Sequence, residues 1–131
     1  MSEETDRAVQ KGLDLFNAGR FWEAHEAWEA AWLVEDGDVR QMLQGLIQVA
    51  AGYFKALVHR RPRAAAKLLA SGLAKLEPIP DSLAALRLEL LRQAVANSID
   101  AVQGWERGER DGIDPASVPR IERADGVSLS E

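Results

Sequence analysis

With 131 residues, 47% of them hydrophobic, the chain is long enough to bury a core without disulfide or metal staples. The absence of cysteine excludes a disulfide framework, a thiolate metal site, an iron–sulfur cluster and a cysteine nucleophile. A formal charge of −5 argues against nonspecific affinity for nucleic acid, which draws on surplus lysine and arginine.

Apolar residues recur at helical spacing almost throughout, and no run alternates strictly with β-branched residues, so the expected class is all-α. The first helix is expected over about residues 5–17, with Val9, Leu13 and Phe16 on one stripe and Gly19 as a left-handed stop. The second, about 21–34, carries three of the four tryptophans: Trp22, Trp28 and Trp32. After a turn at 35–38, Asp38 is expected to cap the third helix, with Gln41 reaching back as in a capping box. This long, mostly apolar helix should reach His59 or Arg60, because Pro62 disfavours helix at the residue before it. Gly45 and Gly52 lie on one flank of it and predict close approach of another backbone.

Pro62 opens a fourth helix to about Leu76, and Glu77-Pro78-Ile79-Pro80 ends it. Asp81 or Ser82 is expected to cap a fifth helix that runs to about Glu106. The whole reads as two stacked helical hairpins with a fifth C-terminal helix across them, one all-helical domain over residues 1–107. Residues 108–131 are expected to be irregular or disordered, with Ile113, Val118 and Ile121 able to lie on the bundle. The opening MSEETDRAVQ is acidic and polar where a signal peptide is basic and then apolar, and the longest uncharged stretch, 41–54, is too short to span a bilayer. A cytoplasmic location without a membrane partner is the expectation.

On a helical wheel of the second helix, His25 and Glu29 fall among Trp22, Trp28 and Trp32, Glu26 at the margin, and Glu23 outward. An imidazole and a carboxylate four residues apart are within contact range, and among indoles both need a partner to replace lost hydration. Three readings follow. In the first, HEAWE resembles the zinc-protease helix with its second histidine replaced: His25 and Glu29 hold a divalent metal, Glu26 is the candidate catalytic base, and Glu23 or Gln48 completes the shell. In the second, His25 and Glu29 join Arg40, Gln44 and Gln48 in a buried polar clasp that fixes the register of two helices. In the third, an exposed Trp22 or Trp32 makes the aromatic face a contact surface for a protein partner or a second copy of the chain.

The cluster His59, Arg60, Arg61, Arg63 and Lys67 suits phosphate or an acidic partner, or else complements the C-terminus of the third helix. No phosphate loop, dinucleotide fingerprint or serine in a nucleophile-elbow setting is present, so nucleotide chemistry has no support and a divalent metal is the one cofactor the residues suggest. The leading expectation is a non-enzymatic binding or interaction module, and the rival is a metal-binding protein or metal-assisted hydrolase.

Two resemblances bear on this. The segment GLDLFNAGRFWEAHEAWEAAW resembles a single tetratricopeptide repeat through Gly12, Gly19, Phe21, Ala24, Trp28 and Ala31, with no second copy at the usual spacing. The blocks FNAGRFWEAHEAWEAAW and RQMLQGLIQVAAGYF resemble the uncharacterised prokaryotic family known as domain of unknown function 309. That resemblance rests on Phe16, Asn17, Gly19, Phe21, Glu23, His25, Glu26, Glu29, Trp32, Arg40, Gly45, Leu46, Ile47 and Gln48. It covers roughly residues 5 to 76 and implies a small helical domain without implying a reaction.

Overall fold

A computed structural model of the chain describes residues 1–124. Its helices are α1 (Glu3–Asn17), α2 (Phe21–Trp32), α3 (Gly37–Leu57), α4 (Pro62–Leu76) and α5 (Leu88–Glu106). Each packs on the next in chain order, so the all-α arrangement of packed hairpins with a final helix is the observed one.

Ser2 caps α1 by accepting from the Thr5 amide, and three acids follow in the first turn, where the helix dipole favours them. At the other end Gly19, at φ +79°, reverses the chain while the Arg20 amide bonds back to the Leu15 carbonyl and Gly19 to Phe16. This Schellman-type stop aims α2 directly back along α1. The hairpin closes tightly because α1 presents Gly12 where Trp28 arrives: a Cβ there would run into the indole. Fully buried Trp28 donates its Nε1–H to the Val9 carbonyl at 3.2 Å, so its one polar group is satisfied within the core. Phe16, Phe21, Trp28 and Tyr53 form the buried aromatic cluster that locks α1, α2 and α3 together, with ring centroids 5.1–6.1 Å apart.

The flank of α3 bearing Gly45 and Gly52 meets α4 at backbone distance, as their spacing predicts. A Cβ on Gly45 would lie 2.7 Å from Leu76, and one on Gly72 would lie 2.8 Å from the Gly45 carbonyl oxygen. Two expectations at helix starts are corrected. Asp38 lies inside α3, which begins at Gly37, and Gln41 forms no capping box; its amide donates to the Lys75 carbonyl at 3.1 Å and ties α3 to the end of α4. Nor does the fifth helix start at Asp81 or Ser82. Asp81–Leu83 make only a 3-10 turn, Ala85 is left-handed at φ 53°, and α5 starts at Leu88. The break buries Ala84 and Leu86 and turns two backbone groups toward the returning tail, from Arg87 N–H to the Glu122 carbonyl and from Ala124 N–H to the Ala85 carbonyl.

That tail is a strap. After α5, residues 108–124 cross back to α1 with Ile113 and Ile121 buried and Val118 half-buried. The Asn17 side chain pairs in both directions with the Ile121 backbone (3.0 and 2.9 Å), and Arg123 reaches the Asp6 carboxylate, Gln10 and the Ala84 carbonyl. The remainder of the expected irregular segment, 125–131, lies outside the described residues. No helix among the described residues is long and apolar enough to cross a membrane.

Candidate functional site

The residues singled out by the HEAWE pattern are divided between the face that α2 shares with α3 and the solvent side of α2. His25 is largely enclosed, its side chain 15% exposed, and its ring stacks on Trp22 with centroids 4.5 Å apart and planes 18° from parallel. Trp22 packs in turn on Phe54 of α3 (5.3 Å), and Phe54 meets His59 edge-on (4.7 Å). The result is a continuous row of rings, Trp22 flanked by His25 and Phe54, along the N-terminal end of α2 and the C-terminal end of α3.

Glu29 lies one turn on from His25, with Oε2 4.0 Å from the imidazole Nε2 and its side chain 52% exposed. That distance is an ion-pair approach, too long for a hydrogen bond. The other ring nitrogen, Nδ1, is buried and has no hydrogen-bond partner among the described residues. Glu26 points to solvent, and Glu23 is bound by the guanidinium of Arg20 on the exposed side of α2, an interaction that also raises the Arg20 pKa through its hydrogen bond and charge. Among the described residues no three His, Cys, Asp or Glu side chains converge as a metal-holding group, so His25, Glu26 and Glu29 are not assembled into a ligand set.

Arg40, Gln44 and Gln48 do not join His25. Arg40 lies over the Trp32 ring at 4.0 Å, a cation–π contact at the opposite end of the face. Gln44 lines an open groove with Trp32, Arg40 and Lys75, while Gln48 accepts from Ser71 Oγ at 2.8 Å in a chain that Lys75 extends across α3 and α4. The reason is antiparallel geometry. His25 belongs to the first turns of α2 and is opposite the last turns of α3, whereas Arg40 belongs to the start of α3 and meets the end of α2.

Sequence reasoning therefore missed Phe54 and His59 as members of the row of rings at Trp22. The turn between α2 and α3 signals only that the helices run antiparallel, so the start of α2 faces the later part of α3; the register that sets Trp22 against Phe54, 10 and 17 residues from their ends of the turn, carries no local signal. Exposure separates the four tryptophans sharply, since Trp28 is wholly buried, Trp32 and Trp105 are half-buried and Trp22 is 46% exposed. Val58, one turn beyond Phe54, is 58% exposed.

Residues 9–68 match the family described as "Domain of unknown function (DUF309)". That match takes in 60 of the chain's 131 residues. The DUF309 match lies within the 5–76 span of the resemblance and runs from the middle of α1 into α4, taking in the whole row of rings from His25 to His59. The strap and α5 lie beyond the DUF309 region, though the strap is bonded into it through Asn17. No curated protein matches the chain.

Proposed function

We propose that this protein is a non-enzymatic helical interaction module that docks a protein partner on the face of Trp22. The observation that carries the reading is the state of Trp22 itself, exposed over nearly half its surface yet clamped between the His25 and Phe54 rings. An aromatic held in one orientation loses little conformational freedom on binding, and tryptophan in that state is the commonest anchor of protein interfaces. The other aromatic residues of the α1–α3 junction are consumed by the core, so packing accounts for them and leaves Trp22 over.

The test is affinity capture on the wild-type chain and on Trp22→Ala, followed by purification of whatever the wild type retains and a pairwise binding measurement. Loss of Trp22 should weaken the pairwise affinity by about tenfold or more. Equal affinity for the two chains, with both folded by circular dichroism, would refute docking at this face.

A further inference from the structure

The stretch between Asp38 and Glu77 carries seven of the chain's 16 lysines and arginines and none of its 21 acids. The excess of negative charge is therefore confined to the rest of the chain. Of the seven, Arg40 is stacked on Trp32, Lys75 is bonded to Ser71, and Arg60 is turned onto the strap, donating to the Asp111 carbonyl (2.7 Å) beside the Trp105 ring. Lys55, Arg61, Arg63 and Lys67 remain, with no carboxylate within 4.0 Å of any of them among the described residues.

Lys55 lies in the last turn of α3, where the helix dipole favours a cation, but the placement of Arg61 and Arg63 runs against folding. Arg61 is the N-cap of α4 and Arg63 sits in its first turn, which holds no acid at all. A helix N-terminus carries partial positive charge and is stabilised by carboxylates, so cations here oppose the dipole. Charges that break a local rule without a compensating contact are expected at functional surfaces. Lys55 also adjoins the docking face, and the other three follow it within 12 residues along the chain. Phe54 touches both Trp22 and His59, and His59 Nδ1 lies 3.2 Å from Lys55 Nζ, so the row of rings leads into the basic end without a gap.

Resting on the reading of Trp22 given above, we infer that the partner segment is acidic and carries an apolar anchor, its anchor on Trp22 and its carboxylates over Lys55, Arg61, Arg63 and Lys67. Charge complementarity selects a peptide over a nucleic acid. Glu23, Glu26 and Glu29 border the other side of Trp22 and repel a continuous phosphate chain, whereas a peptide can confine its charges to the α3–α4 end.

The experiment is random-peptide display on the immobilised full chain, followed by fluorescence anisotropy of the enriched peptides and, alongside, of an oligouridine. Enriched peptides should be net acidic with at least one large apolar residue, and their affinity should fall between about 50 and about 200 mM salt. It should also fall about tenfold in R61E/R63E/K67E, with the conservative R61K/R63K retained as a folded control. Neutral or basic enriched peptides, no enrichment, tighter binding of oligouridine, or indifference to the charge reversal would each overturn the inference. Binding lost in Trp22→Ala but unchanged by charge reversal defeats only the acidic partner. Binding lost on charge reversal but unchanged in Trp22→Ala defeats the docking face, and with it this inference.

Discussion

The Tyr53 and Ser98 hydroxyls meet at 2.8 Å in the interior, joining α3 to α5 across the body of α4's packing partners. Burial pushes the Tyr53 phenol up from its ordinary value near 10 to about 12, and the bond from Ser98 offsets only part of that rise. The group is neutral in both states below pH about 10. Above it the unfolded chain ionises first, so stability is full below that pH and falls as pH rises toward about 12, by roughly 2–3 kcal/mol. Urea midpoints measured across this range should show the decline in the wild type and a smaller one in Tyr53→Phe. Below pH about 9 the variant itself should be destabilised by about 1–2 kcal/mol, because Ser98 is left buried without its partner.

The contact between α3 and α4 yields an ordering. Alanine at Gly45 meets the buried Leu76 side chain at 2.7 Å and backbone, the Gly72 carbonyl oxygen, only at 3.1 Å, whereas alanine at Gly72 meets the Gly45 carbonyl oxygen at 2.8 Å and the Val49 nitrogen at 3.0 Å, both backbone. Helix propensity favours each substitution by about 1 kcal/mol. Overpacking opposes that gain and dominates where backbone must move, so Gly72→Ala should lose about 2 kcal/mol or more and Gly45→Ala distinctly less. Denaturant unfolding of the two variants gives the comparison, and equal losses would mean that Leu76 is as immovable as the backbone.

The strap offers a third test. Asn17→Ala removes both side-chain bonds to the Ile121 backbone and should cost about 1–2 kcal/mol. The effect should concentrate in amide exchange of residues 113–124, which ought to quicken while α3 stays protected. Unchanged exchange there would show that burial of Ile113 and Ile121 holds the strap alone.

Periodicity made the helices legible because each buries one stripe, and the small residues at Gly12, Gly45 and Gly52 marked where neighbours crowd. The start of α5 was hidden because nothing local stops a helix at Ala84–Arg87. The stop comes from Glu122 and Ala124, more than thirty residues away in sequence, whose backbone competes for the same hydrogen-bonding groups. The site was half legible for a similar reason. A wheel places His25 beside Trp22 correctly, but it carries no information on which part of α3 is opposite, and proximity in sequence pointed to Arg40 and Gln48 when the antiparallel turn delivers Phe54 and His59.

His25 is the residue whose presence packing explains least. Its ring area is well used against Trp22, but Nδ1 is buried without a partner among the described residues, a state that lowers stability. Phenylalanine keeps the flat ring on Trp22 and removes the unsatisfied nitrogen, while alanine removes the stack. His25→Phe should therefore be as stable as the wild type or up to about 1 kcal/mol more stable, and His25→Ala should lose about 1–2 kcal/mol. If urea titration instead finds the phenylalanine variant weaker by more than about 1 kcal/mol, the imidazole holds a water or other partner that stabilises the fold. The expected outcome, a ring whose polar edge the fold does not need, moves the reason for a histidine here from stability to what approaches Trp22 from outside.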